Sequence, residues 1–238
     1  MEDHQIQKHI LKKFMYNDAL RFNEILDRQF ASNKFNYHLQ QLMDKGVIEK
    51  EEELYRLTAK GVQVITGLDG IKIEEKQKPV PCVFIMGLDE DTGKILVHKR
   101  KKQPFRGVIG IPGGKIEFGH NLKEQARAEF QEETGLEARH LQLKLITNYR
   151  TIREEDETMT HHVIGFFFLA TGLSGELVTE DREGENMFVP VSEAKELDRY
   201  PDFDFFTQEL LRETDEVRFQ EADRFVREGR FTGIEFKN

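Results

Sequence analysis

The sequence predicts an α/β protein in two units: a mixed β-sheet covered by helices on both faces, preceded by a small α+β domain. Three observations point there. The chain has 238 residues, long for one ordinary domain and ample for two at roughly 100–200 residues each. Hydrophobic residues make up 38% and aromatics 10%, so both units have core material, and neither disorder nor a disulfide scaffold is compatible with this composition. The pattern also changes within the charged, proline-punctuated stretch IEEKQKPVP. Helical spacing precedes it and strand-like runs follow, which predicts a domain over 1–72, a linker over 73–79 and a second domain over 80–238.

In the first unit, Ile6, Ile10, Leu11 and Phe14 recur at helical spacing, and so do Phe35, Leu39, Leu42 and Met43. A shorter helix is expected between them, from Ala19 to Leu26, and Gly46 stands where it would end the later helix. The runs VIEK and LYRLT, separated by Glu51, Glu52 and Glu53, read as a hairpin. Thr58 then caps a last helix leading toward Gly67. This order over residues 4–66, carried by YHLQQLMDKGVIEKEEELYRLTAKG, resembles a winged helix-turn-helix. The resemblance implies DNA as a partner, with Asn33, Lys34, Tyr37, Gln40 and Gln41 on the exposed face of the 33–45 helix. The alternatives are a merely solvated face, dimerisation or packing on the second domain, since three wing-tip carboxylates repel phosphate.

In the second unit the expected strands are VPCVFIMGLD, KILVHKR, LQLKLITNYR, HHVIGFFFLA and MFVPV. Helices are expected over Leu122–Thr134, about Phe203–Glu213, and in the charged segment Val217–Arg227. Cys82, the single cysteine, sits in an apolar run and reads as a small buried side chain rather than a nucleophile. The longest apolar run, Val163–Ala170, has 8 residues, whereas a membrane helix needs about 20. The polar start MEDHQIQKHI is unlike a secretory signal, so a cytoplasmic protein is expected. The net charge of −9 divides into 11 basic against 13 acidic residues over 1–75, and 24 against 31 thereafter. Neither unit is globally basic, so nucleic acid would have to meet a local patch.

The stretch GGKIEFGHNLKEQARAEFQEETGL, residues 113–136, concentrates the chemistry. Asn121 with Glu124 three positions on, and Gly135 at the far end, bound a helix whose apolar stripe is Leu122, Ala126 and Phe130. Glu129 and Glu133 fall within or at the edge of that stripe, with Glu132 beside it. Three carboxylates at i, i+3 and i+4, after a Gly-rich loop, suit a hard divalent cation, Mg²⁺ or Mn²⁺. The alternative is a helix whose glutamates pair with nearby Lys or Arg.

In register, Gly114, Glu129, Phe130, Glu132, Glu133, Gly135 and Leu136, preceded by Ile111-Pro112-Gly113, resemble the box of the Nudix hydrolases. The likeness extends over about residues 78–215. It implies an α/β/α sandwich, Glu129, Glu132 and Glu133 as catalytic metal ligands, and hydrolysis of a nucleoside diphosphate linked to another moiety. It also implies a substrate-binding role for Gly113 and Gly114, and Arg100, or Lys99 beside it, ends a strand where it would either meet a substrate phosphate or stand as a solvated strand end. Glu183 and Glu185 resemble a later acidic loop that supplies an extra ligand or base in some members, the alternative being loop glutamates that are merely solvated. His161 and His162, adjacent in a strand, face opposite ways and receive no metal role. Two positions depart from the box: His120 replaces a Glu and Ala128 an Arg, with Arg127 one residue out of phase. Their joint loss reads as an ion pair replaced as a unit by side chains filling its space. No proline lies between Pro112 and Pro190, where some ADP-ribose-cleaving members carry one, and the motif SQPWPFPxS is absent. The competing function is a transcriptional regulator whose Nudix-like domain senses a nucleotide and whose winged helix binds DNA.

Overall fold

A computed structural model describes residues 2–66, 78–180 and 182–237. Contacts divide the chain into Met1–Gln77 and Lys78–Asn238. Of the expected linker 73–79, residues 73–77 lie outside the described residues, as does Gly67.

The first unit runs α1 (Glu2–Phe14), β1 (Leu20–Arg21), α2 (Phe22–Ile25), α3 (Ser32–Asp44), β2 (Ile48–Glu51), β3 (Leu54–Leu57) and α4 (Ala59–Thr66). Ile6, Ile10, Leu11 and Phe14 of α1 pack against Phe35, Leu39 and Leu42 of α3 in one core. Gly46, at φ +65°, ends α3 in the left-handed conformation that glycine adopts without penalty. Thr58 Oγ1 accepts the Gly61 N–H at 3.1 Å at the start of α4. The single helix expected over Ala19–Leu26 is replaced by a strand and one short turn. Leu20 and Arg21 pair with Tyr55 and Leu54, and the Arg21 N–H donates to Glu24 at 2.7 Å, so helix begins only at Phe22. On α3, Gln41 donates to the Tyr37 hydroxyl at 2.8 Å and accepts from Gln7 at 2.9 Å, and Gln40 donates to Asp44 at 2.9 Å. These amides are therefore engaged within their own unit.

The second unit runs β4 (Val80–Asp89), β5 (Lys94–Arg100), β6 (Ile109–Gly110), β7 (Gly113–Lys115), α5 (Leu122–Thr134), β8 (Leu136–Arg153), β9 (Thr158–Gly175), β10 (Gly184–Val189), α6 (Val191–Ala194), α7 (Phe203–Leu211), β11 (Arg218–Arg227) and β12 (Arg230–Lys237). The sheet order is β10-β5-β4-β9-β8-β11-β12, with β6 on β5 and β7 on β4. Strand side chains alternate between two cores because helices cover both faces. Val83, Ile85, Phe168 and Ala170 meet Ala126 and Phe130 of α5, whereas Met86 and Phe167 meet Phe203, Phe206 and Leu210 of α7.

On β8 the alternation changes phase. Leu141 and Leu143 face the α5 side, yet Leu145 and Tyr149, also odd-numbered, join the α7 core. A bulge lies between Leu143 and Leu145, and the extra residue flips every later side chain to the other face. The residue bulged out, Lys144, is buried and donates to the carbonyl of Arg212 at 2.7 Å, just past the end of α7.

The C-terminal helix expected over Val217–Arg227 is instead strand β11. It lies parallel to β8 from Arg218 opposite Leu145 to Val226 opposite Arg153. Gln220, Ala222 and Val226 are buried at period two, which extends the sheet, and Glu228 and Gly229, both with positive φ, turn the chain into β12. Among the described residues no helix is long and apolar enough to cross a membrane.

Phe130 is 1% exposed at the centre of the α5 core. Phe130→Ala is expected to lower unfolding free energy by about 3–5 kcal/mol, checked by urea denaturation.

Candidate active site

The glycines of β7 let α5 come close to the sheet. A Cβ on Gly113 would collide with the Val83 carbonyl oxygen, and one on Gly114 with the Glu129 carboxylate. Glu133 Oε2 accepts the Gly113 N–H at 2.8 Å, which fastens the last turn of α5 to β7. Asn121 stands at the start of α5 as expected, but its side chain donates to Glu124 at 3.0 Å rather than capping the backbone. Gly135, at φ +72°, closes the helix.

Gly113, Gly114, Glu129, Glu132 and Glu133 line one end of a cavity of about 770 Å³, joined there by Glu117 and Glu183. That volume suits a nucleotide-sized ligand. Burial pushes the Glu129 carboxyl above the ordinary glutamate range, and the Glu132, Glu183 and Glu117 charges add to the effect while Gln125 opposes it. Among the described residues neither Glu129 nor Glu132 forms a salt bridge, so Lys or Arg does not compensate them. Nor do three His, Cys, Asp or Glu side chains converge closely enough among the described residues to cage an ion by themselves. The donor set nevertheless fits Mg²⁺ or Mn²⁺. Hard carboxylate oxygens repel one another here, and Mg²⁺ takes one or two carboxylates while water and phosphate complete its shell.

The other sequence-derived residues divide. Arg100 lines the cavity, its Nε donating to the Pro104 carbonyl at 3.1 Å, whereas Lys99 is exposed and outside it. Glu183 lines the cavity and pairs with Lys102, while Glu185 stands 3.8 Å from Lys101. Cys82 is only half-buried and borders the cavity, and burial pushes its thiol up to about 11, which keeps it protonated. His161 faces the cavity, and His162 bonds to Asn148 at 2.6 Å. His120 and Ala128 are both exposed, so the idea that they fill the space of a lost pair is wrong; His120 lies 3.8 Å from Glu117. Arg127 donates to the Ala138 carbonyl, on β8.

Sequence reasoning missed two groups. His98 lines the cavity, with Nδ1 2.9 Å from Asn186 Oδ1. The Asn186 amide donates to the Glu133 and Val178 carbonyls at 2.7 and 2.9 Å, so His98 Nδ1 carries the shared proton and the end of α5 is tied to β5 and β10. The second group, Phe105, Tyr149, Tyr200 and Arg224, also lines the cavity, Tyr149 and Arg224 from β8 and β11, two and three strands across the sheet from β4 and its partner β7. The signal for His98 was its strand parity with buried Leu96. Arg224 was hidden by reading its strand as a helix.

The NUDIX domain family model matches residues 78–210. The chain belongs to the Nudix family. A second model, a domain of unknown function (DUF7347), matches residues 4–68. The chain is 32% identical over 117 residues to the ADP-ribose pyrophosphatase of Methanocaldococcus jannaschii, covering 49% of this chain and 66% of that protein. It is 38% identical over 105 residues to the ADP-ribose pyrophosphatase of Bacillus subtilis, covering 43% and 52% respectively. The chain thus spans just under two thirds of the first relative and about half of the second. In fold it is similar to the MutT protein of Bacillus halodurans, with a TM-score of 0.53 and 24% identity over 66% of this chain and 97% of that one.

Two measurements check the geometry. Gly113→Ala sets a methyl against backbone and is expected to cost about 1–3 kcal/mol, whereas Gly114→Ala meets only a movable carboxylate and should cost less, as read by denaturant melts. Glu129 binds its proton more tightly folded than unfolded, so its ionisation subtracts stability as pH rises above its ordinary value of 4.5. In metal-free protein, Glu129→Gln should therefore be more stable than wild type at pH 7, and this gain should vanish below about pH 4.

Proposed function

We propose that the Nudix domain is a metal-dependent pyrophosphohydrolase acting on a nucleoside diphosphate linked to another moiety. The observation that carries this reading is the seating of Glu129, Glu132 and Glu133 on one wall of a nucleotide-sized cavity, with Glu129 and Glu132 uncompensated by salt bridges among the described residues. Glu129, Glu132 and Glu133 would hold Mg²⁺ or Mn²⁺. The ion supplies charge neutralisation at the phosphate oxygens and a more acidic water. The chain's own residues do the rest. Gly113 and Gly114 leave room for α5 and its carboxylates beside β7, where an ion held by them would meet the phosphate, and the Glu133–Gly113 hydrogen bond fixes that wall. Arg100, at the cavity edge, orients phosphate by charge-assisted hydrogen bonds.

Two relatives named ADP-ribose pyrophosphatase make ADP-ribose the first compound to test, although the proline of some ADP-ribose-cleaving members has no counterpart between Pro112 and Pro190. For the first unit, the order of helices and small sheet supports a winged-helix reading. The engaged amides of α3 and the acidic Glu51–Glu53 limit DNA binding to a weak, salt-sensitive contact.

A panel of nucleoside diphosphate compounds with Mg²⁺, followed by mass spectrometry, should show hydrolysis at the pyrophosphate. Glu129→Gln and Glu132→Gln should each lower turnover at least about a hundredfold with the melting temperature retained. Near wild-type turnover of both variants would sink the reading.

A further inference from the structure

We propose that the C-terminal hairpin β11–β12 builds a nucleobase slot in the cavity, on the side of the sheet away from β4 and β7, with Arg224 as its hydrogen-bond donor and Phe231 as a positioning residue. This rests on the pyrophosphohydrolase reading for what occupies the glutamate wall. The hairpin, residues 218–237, lies outside the 78–210 matched by the family model, yet β11 places Arg224 opposite Thr151 of β8 and into the cavity.

Arg224 is held rigidly. Its Nη2 donates to Asp202 at 2.6 Å, and its guanidinium stands 4.2 Å from the centre of the Tyr149 ring and 5.3 Å from that of Tyr200. Its Nε is buried with no hydrogen-bond partner among the described residues. Burying a donor without an acceptor is unfavourable, whereas the attraction of the guanidinium to the two ring faces keeps it ordered. A ligand acceptor would relieve the first and make use of the second. Phe231 stacks on Phe105 with ring centres 4.3 Å apart and lies 5.2 Å from Tyr200, so it fixes the two rings that wall the slot. Phe105 has φ +63°, a strained conformation for an aromatic residue, which the stack holds in place.

The charge balance decides between ligand classes. A phosphate needs an unpaired cation, and because Asp202, fully buried, neutralises Arg224, the cation left for it is Arg100, whose charge reaches Tyr200 and His161. Burial, reinforced by Arg100 and Arg224, lowers the His161 pKa and keeps that ring neutral at neutral pH. Aromatic faces and a fixed donor whose charge is neutralised by Asp202 match a nucleobase, which offers a π-face for stacking and ring nitrogens or a carbonyl as acceptors.

The test is calorimetric titration of the metal-free full chain with AMP, GMP and ribose 5-phosphate, which shares the phosphate and sugar but lacks a base. Wild type is expected to bind at least one of the two nucleotides about tenfold or more tightly than ribose 5-phosphate. Arg224→Lys keeps a charge beside Asp202, and Phe231 belongs to none of the three cores, so both Arg224→Lys and Phe231→Ala should fold, as thermal melts will show. Each should reduce the base selectivity at least about fivefold. Equal binding of all three probes by wild type, or no binding of either nucleotide, overturns the slot. So does selectivity that survives in both variants. Because no metal or turnover is involved, such a failure is distinct from a failure of the hydrolase reading, which the Glu129 and Glu132 variants test.

Discussion

The close seating of α5 on the two glycines of β7 is the constraint from which the site follows. The Glu129 carboxylate occupies space that any side chain at position 114 would claim, and Glu133 is held by the Gly113 N–H. Ala126 and Phe130, on the same helix, anchor that approach in the core, so the packing that stabilises the domain also crowds acidic groups together. The Glu129 pKa, raised by burial and by neighbouring carboxylates, reports the cost of that crowding. A divalent cation with phosphate would resolve it, so the folding constraint and the proposed chemistry coincide.

The cavity depends on a sheet with two working faces. The bulge at Lys144 sends the first half of β8 to the α5 core and the second half to the α7 core, and so brings Tyr149 to the cavity. Without the extra residue, Tyr149 would point to the opposite face. Lys144 itself serves α7 by meeting the Arg212 carbonyl. The hairpin then adds Arg224 beside Tyr149 to the cavity lining, on the side of the sheet away from β4 and β7.

The legible part of the fold lay where local signals agreed. The Asn121 and Gly135 boundaries place α5, and KILVHKR and VPCVFIMGLD coincide with β5 and β4. The box glutamates were legible because carboxylates within an apolar stripe need a reason. RFQEADRFVR was misread because its charge density resembles a solvated helix, although Gln220, Ala222 and Val226 alternate and Glu228-Gly229 supplies a two-residue turn. Arg224 and Phe231 were lost with that strand. The Asn186–His98 tie and the Lys144 bulge join residues far apart in sequence, and no local pattern specifies such pairings. In the first unit, Ala19–Leu26 failed for the same reason, since Leu20 finds its partner in Tyr55.

Direct titration with Mn²⁺, followed by electron paramagnetic resonance, tests the central claim that the seated glutamates form a cation site. Wild type should bind Mn²⁺ with an affinity that falls at least about tenfold in Glu129→Gln and in Glu132→Gln, while both variants stay folded. Unchanged Mn²⁺ affinity in the two folded variants would contradict it.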